Sequence, residues 1–221
     1  MKYIKVENNS ASAIIALQGA HILGYAPSTE ESLLWLSDEN EFEVGKAIRG
    51  GVPICWPWFG MHKNENLPQH GFARTSIFEH IYTKELDADT TEVLLRLTHS
   101  KESLELWNYK FELDMKITVS KELAMELTTT NTDSKPFEIT QALHSYFSVS
   151  DIKDIRIIGL DECLYFDALV KEEFIQDGDI LFEGELDRIY QHVKHDIVLM
   201  DETHIIDIKN EGSTSTVIWN P

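Results

Sequence analysis

The sequence lacks any long hydrophobic run. None of its apolar segments approaches the ~20 residues that a transmembrane helix needs, and its opening residues, MKYIKVEN, are polar. It is also poor in cysteine, since Cys55 and Cys163 are its only two and no CxxC pair occurs. Widely separated cysteines favour free thiols in a reducing compartment. We therefore expect a cytoplasmic protein with no membrane partner.

Basic residues are scarce as well. Lysine and arginine together number 19 against 38 aspartates and glutamates, which gives a formal net charge of −19. A surface with this charge repels nucleic acid and anionic lipid, so both are excluded as partners. An anionic small molecule could bind only where a few arginines locally outweigh the carboxylates.

Several common functional motifs are missing. No glycine-rich phosphate loop of the Walker or Rossmann type occurs, because Gly50 and Gly51 precede Val-Pro rather than a helix. No serine nucleophile elbow is present. His192 and His195 form an HxxH pair, but no third ligand follows at the spacing of known zinc sites. We therefore predict no metal.

The remaining composition is that of a globular chain, with 43% hydrophobic and 26% charged residues in 221 positions. Hardly any segment supports a helix of more than a few turns, whereas short segments of alternating apolar and polar residues recur between turn signals. This pattern predicts an all-β fold, a large antiparallel β-sandwich in a single domain over residues 1–221. The acidic segment 37–43 is predicted to be a solvated loop. The predicted strands are residues 2–7, 11–17, 75–85, 91–98, 106–119, 121–130, 135–143, 155–158, 163–168, 187–190, 197–200, 205–208 and 215–219.

One segment, residues 48–74, fits neither a strand nor a helix. Its sequence, IRGGVPICWPWFGMHKNENLPQHGFAR, combines glycine and proline with large aromatic residues, so it should form a long loop of defined shape. Arg49 stands at its start, and Gln69, His70 and Arg74 stand at its end. Two guanidiniums, an amide and an imidazole beside an aromatic wall could bind a polar, anionic small molecule. The alternative is that the tryptophans belong to the core and the arginines pair with carboxylates.

Two further residues are candidates for chemistry. His144, in the segment QALHSYF, is suited to proton transfer near neutral pH, although it could equally be a hydrogen-bonded core histidine. Asp187, in ELDRIY, could accept hydrogen bonds from sugar hydroxyls, or it could pair with the adjacent Arg188 on a surface. Spacing alone does not separate these possibilities.

Taken together, the strings IRGGVPICWPWFG, LPQHGFAR, ALHSYF and LDRIY resemble the hexose-6-phosphate mutarotases (glucose-6-phosphate 1-epimerases) of the aldose 1-epimerase and galactose mutarotase superfamily. The resemblance covers essentially the whole chain. It implies a galactose mutarotase-like supersandwich and an isomerase that interconverts the anomers of a hexose 6-phosphate. By resemblance, Arg49 and Arg74 bind the phosphate and sugar, Gln69 and His70 contact the sugar, His144 is the catalytic acid, and Asp187 holds sugar hydroxyls.

The family's reaction needs only an acid and a carboxylate base on opposite sides of the anomeric centre, so we expect no cofactor. We also expect a monomer. In the family the base is a glutamate that follows the WNP segment, and this sequence ends at Asn220 and Pro221. The sequence therefore suggests a C-terminally truncated family pattern. Two alternatives stay open: a non-catalytic carbohydrate-binding sandwich, and an aldose 1-epimerase that acts on unphosphorylated sugar.

The missing glutamate leads to a prediction about activity. Loss of one member of an acid/base pair costs roughly 10²–10⁴-fold in rate, so these 221 residues should keep the pocket but have little mutarotase activity. A coupled assay of glucose 6-phosphate anomer exchange measures this. Full activity would mean that another residue of this chain is the base.

Overall fold

The structure is a computed structural model that describes residues 1–28, 30–193, 195–202, 204–213 and 215–221. The chain divides into two compact units, residues 1–148 and 149–221. Both are built almost entirely from antiparallel strands, so the prediction of an all-β fold is confirmed. The single domain and the one large sandwich stay predictions.

The first unit contains three sheets. One has the order β1-β2-β3, the second has the order β5-β6-β7-β8, and β4 pairs with β9 in the third. A short α-helix, α1, and a 3-10 turn at Ala73–Thr75 complete the unit. The strands and helix are β1 Tyr3–Glu7, β2 Ala11–Ala16, β3 His21–Pro27, β4 Ile54–Cys55, β5 Glu79–Asp87, β6 Thr90–Thr98, α1 Lys101–Leu106, β7 Phe111–Val119, β8 Leu123–Asn131 and β9 Ala142–Leu143.

The core of this unit follows from the alternation in the sequence. In β7 every second residue is buried, from Phe111 to Val119, while the residues between them are half-buried. Alternate residues of β2 and β6 belong to the same hydrophobic cluster, as do Ile22 and Tyr25 of β3 and Trp56. Because side chains of a strand alternate between its two faces, this pattern places one face of each sheet in the core.

The second unit contains two four-stranded sheets, with the orders β13-β10-β15-β16 and β12-β11-β14-β17. A 3-10 turn at Ile152–Asp154 precedes them. None of the helices among the described residues has the length and apolar character to cross a bilayer. The strands are β10 Arg156–Ile158, β11 Leu164–Asp167, β12 Glu172–Ile175, β13 Ile180–Leu181, β14 Leu186–Gln191, β15 Ile197–Met200, β16 Ile205–Ile208 and β17 Ser215–Asn220.

Some predicted strands were wrong. The strand predicted over 106–119 begins only at Phe111, because Ser100 and Ser103 form a capping box that starts α1. The strand predicted over 135–143 is reduced to β9. Pro136 has no N–H to donate to a ladder, and Thr140 bonds instead to the 57–59 backbone. Strands β3, β4, β12 and β13 were not predicted.

The loop 48–74 is fixed by close backbone contact at Gly71. This residue has φ of 71° and forms a bridge with Trp56. A Cβ at Gly71 would lie 2.0 Å from the Trp56 carbonyl oxygen, a distance that no packing tolerates. The glycine therefore permits both the left-handed backbone and the close contact between the end of the loop and Trp56.

We predict that Gly71→Ala destabilises the protein by about 3 kcal/mol or more, because the methyl group must displace the Trp56 backbone. Gly60→Ala is the matched control: Gly60 lies in the same loop with φ of 81°, and nothing lies within 4 Å of the place that an added methyl group would occupy. Only the backbone strain of about 1–2 kcal/mol should apply there. Urea unfolding measures both, and equal losses would contradict the close-contact argument.

Candidate functional site

Strand β4 brings the end of the long loop and the His144 segment together. On one side, the Trp56 N–H donates to the His70 carbonyl at 3.2 Å, and the Trp56 carbonyl accepts from Phe72 at 3.0 Å. On the other side, β4 pairs with β9, and the His144 N–H donates to the Pro53 carbonyl at 3.1 Å. His70 and His144 therefore flank one short strand, although they lie 74 positions apart in the sequence.

His70 is held by the loop that precedes it. Its Nδ1 accepts from the Gly60 N–H at 2.9 Å, its own N–H donates to the Gly60 carbonyl at 2.8 Å, and its ring packs on Phe59. Burial lowers the pKa of His70 to about 4, and the charge of Arg74 adds to this effect. The ring is therefore neutral at pH 7.

His144 is half-buried and stacks on Tyr146, with ring centroids 4.4 Å apart and planes 16° apart. Burial lowers the pKa of His144 below the ordinary 6.5; a hydrogen bond to its own backbone opposes this, and the charge of Arg74 lowers the pKa further. The side chain is thus a candidate for proton transfer whose ionisation responds to a neighbouring charge.

Arg74 follows this cluster on the 3-10 turn. Its Nη2 donates to the Gln69 carbonyl at 2.8 Å, which leaves four of the five guanidinium N–H groups for other partners. Its charge lowers the pKa of both His70 and His144, so it acts on the two imidazoles at once. Gln69 itself lies on the exposed surface of the loop.

Arg49 reaches the same region from the other end of the loop. Its guanidinium carbon lies 5.9 Å from the centre of the Trp35 ring, and Trp35 in turn lies 5.9 Å from Tyr146. The charges of Arg49 and Arg74 both lower the pKa of Tyr146, although burial raises it overall. Arg49, Trp35, Tyr146 and His144 therefore form a continuous row of side chains.

Arg49 and Arg74 differ from the other arginines in their ion pairing. Among the residues that the structure describes, no carboxylate lies within 4.0 Å of the guanidinium of Arg49 or Arg74. By contrast, Arg96, Arg156 and Arg188 each pair with an aspartate. The alternative that Arg49 and Arg74 merely pair with carboxylates is therefore wrong.

The aromatic wall beside the site residues in the structure differs from the one predicted from the sequence. Trp56 is fully buried and packs against Phe72 and Phe111, so it belongs to the core. The aromatic rings beside the arginines and histidines are Trp35, Phe59 and Tyr146. Tyr146 could have been found from the sequence, because it lies two residues after His144 and a strand would place both on one face.

Two clefts lie elsewhere in the first unit. One, of about 460 Å³, is lined by Trp58, His62 and Trp107 among others, and the second, of about 380 Å³, is lined by residues that include Arg96 and His99. Neither is lined by a predicted site residue. Trp58 therefore lines a cleft that contains none of the predicted site residues.

Asp187 belongs to the second unit. It lies on β14, opposite Trp219 of β17, and is half-buried. Burial raises the pKa of its carboxyl, and the nearby Asp167 and Glu185 add to this. The adjacent Arg188 pairs with Asp167 at 3.7 Å and lies over Tyr165, so the pairing of Asp187 with Arg188 is not what the structure has. Its role toward sugar hydroxyls stays a prediction.

The chain is similar to known proteins over its whole length. It is 37% identical over 222 residues to a provisionally named glucose-6-phosphate 1-epimerase of Escherichia coli strain K12, which covers 99% of this chain and 74% of that protein. The crystal structure of YeaD, a provisionally named mutarotase of Salmonella typhimurium, superposes with a TM-score of 0.93 at 36% identity, covering 99% of this chain and 74% of that one.

A more distant solved structure supports the fold. A galactose mutarotase related enzyme of Lactobacillus acidophilus matches with a TM-score of 0.82 at 16% identity and covers 99% of this chain and 80% of its own, which indicates a galactose mutarotase-like fold. The aldose 1-epimerase family profile matches residues 2–221. The chain therefore belongs to the aldose 1-epimerase family and is an isomerase.

Proposed function

We propose that this protein interconverts the α and β anomers of a hexose 6-phosphate, as one mutarotase-like sandwich domain. Arg49 and Arg74 bind the phosphate and sugar, Gln69 and His70 contact the sugar, and His144 is the catalytic acid. The observation that carries the proposal is the pair of arginines without carboxylate partners, among the residues described, in a chain of net charge −19. Such cations are suited to an anionic ligand.

The proposed reaction opens and recloses the sugar ring. A base takes the proton of the C1 hydroxyl while the His144 imidazolium gives a proton to the ring oxygen, and the bond between C1 and the ring oxygen breaks. Rotation about C1–C2 turns the aldehyde, and reclosure with the two groups in reversed roles gives the other anomer. Following the resemblance, the base is a glutamate, and Asp187 holds sugar hydroxyls.

The charge of Arg74 explains why the phosphate would matter for the chemistry. In the free protein this charge works against protonation of His144, and so does burial. A phosphate bound at Arg74 would cancel the guanidinium charge and favour the imidazolium. A phosphorylated sugar would therefore favour the protonated form of His144, which is the acid that opens the sugar ring.

The second candidate is an aldose 1-epimerase that acts on unphosphorylated sugar, which the name of the matching family favours. In that case the two arginines would have no anion to bind. The comparison of phosphorylated with unphosphorylated ligand separates the two.

We predict that glucose 6-phosphate binds more tightly than glucose, and that Arg74→Gln weakens glucose 6-phosphate binding by about 10–100-fold, because one charge-assisted contact is lost. Calorimetric titration of the 221-residue chain measures this without requiring turnover. Arg156→Gln is the matched control, since Arg156 is an exposed arginine that pairs with Asp179 in the other unit. Equal affinity for the two sugars would contradict the proposal.

We also predict that the pKa of His144 lies below 6.5 in the free protein and rises when glucose 6-phosphate binds, but not when glucose binds. Histidine C2-proton shifts followed by NMR as a function of pH measure this, with His144→Gln used to assign the signal. In Arg74→Gln the free protein should already show a raised pKa, because a positive neighbour is gone. A His144 pKa that does not respond to the phosphate would exclude the proposed coupling.

A further inference from the structure

The side-chain amide of Asn40 bonds both the N–H and the carbonyl of Arg49. Its Oδ1 accepts from the Arg49 N–H at 2.9 Å, and its Nδ2 donates to the Arg49 carbonyl at 2.8 Å. The same Nδ2 also donates to the Ser37 carbonyl at 2.9 Å. One side-chain amide therefore satisfies both backbone groups of Arg49, as a neighbouring strand would.

The residues after Arg49 are fixed as well. The Gly51 N–H donates to the Trp35 carbonyl at 2.7 Å, and the Gly51 carbonyl accepts from the Tyr146 N–H at 2.9 Å. The fully buried His21 bonds through Nε2 to the Gly50 carbonyl at 2.7 Å. Asn40 therefore completes a backbone frame around Arg49, to which Ser37 of the same loop also contributes, since its N–H donates to the Arg49 carbonyl at 3.1 Å. The Arg49 N–H has Asn40 as its acceptor.

The same loop carries four carboxylates that could neutralise Arg49, and its own lysine engages two of them. Lys46 lies 2.8 Å from Glu41 and 2.7 Å from Glu43. The buried Gln18 anchors this end of the loop, since it accepts from the Gly45 N–H and donates to the Lys46 carbonyl. The loop is thus arranged so that Asn40, and not a carboxylate, meets Arg49.

We propose that Asn40 is a positioning residue that holds Arg49 ready for the phosphate and thereby sets the preference for a phosphorylated over an unphosphorylated hexose. This inference rests on the proposed function. A guanidinium whose backbone is fixed, and whose side chain lies over Trp35, loses less conformational freedom on binding an anion than a mobile one does. The effect acts only on a ligand that carries a phosphate.

The test compares Asn40→Ala with Asn131→Ala in the 221-residue chain. Asn131 is the matched control because its amide also bonds two backbone groups of a loop, the Lys135 carbonyl and the Asp133 N–H, at the end of β8. Asn40→Ala should weaken glucose 6-phosphate binding about tenfold and leave glucose binding within about twofold. Asn131→Ala should change neither. Equal weakening of both ligands by Asn40→Ala, or no weakening, would overturn the inference.

A double-mutant cycle with Arg49→Gln shows whether Asn40 acts through Arg49. In the Arg49→Gln background, Asn40→Ala should have no further effect on glucose 6-phosphate binding. An undiminished effect would mean that Asn40 acts on the ligand by another route and would refute the positioning role.

Hydrogen exchange separates this inference from the proposed function. Without ligand, the Arg49 amide should exchange at least about tenfold faster in Asn40→Ala than in the wild-type chain or in Asn131→Ala, because its acceptor is gone. Unchanged exchange would overturn the positioning role even if glucose 6-phosphate binds. If exchange accelerates but the wild-type chain does not distinguish glucose 6-phosphate from glucose, the proposed function and the specificity claim fail while the anchoring of Arg49 stands.

Discussion

The candidate site depends on positive charge that the described part of the protein leaves without a negative partner. In a chain with twice as many acidic as basic residues, a guanidinium that lies close to no described carboxylate is available to an anionic ligand. Arg74 meets this description, and its charge reaches His70 and His144. Under the proposed function, the binding of an anion at Arg74 would therefore change the ionisation of both imidazoles.

The fold brings segments that are distant in the sequence to one short strand, β4. Only two residues of β4 pair with β9, yet backbone bonds on both sides of the strand fix the exit of the long loop and the His144 segment. The contact at Gly71 requires the absence of a side chain, and the turn that carries Arg74 follows it directly. The charged groups are thus placed by backbone hydrogen bonds, which are stiffer than side-chain contacts.

The sequence predicted the all-β class and most strands because alternation is a local signal. β7 is the clearest case, since every second residue is large and apolar. The direction of Trp56 was not predictable in this way, because in an irregular loop no periodicity tells the core side from the solvent side. The segment 135–141 looked like a strand, but Pro136 and the bonds of Thr140 to the 57–59 backbone decided otherwise.

For the site, the sequence identified residues whose chemical type is distinctive, such as Arg49, Arg74 and His144, and these do gather around β4 in the first unit. It missed Asn40, because an asparagine in an acidic loop has the same appearance whether its amide faces water or a backbone nine positions away. Which partner an amide finds depends on how the loop closes, and that is a property of the tertiary structure.

The hydrogen bond from the Gly60 N–H to Nδ1 of His70 also fixes which nitrogen of that ring carries the hydrogen. With that nitrogen committed as an acceptor, the neutral ring must carry its hydrogen on Nε2, so His70 can only offer a donor to an oxygen atom. A proton arriving at Nδ1 would have to break the loop's own bond. Under the proposed function, His70 would donate a hydrogen bond to a ligand oxygen, and proton exchange would be left to His144.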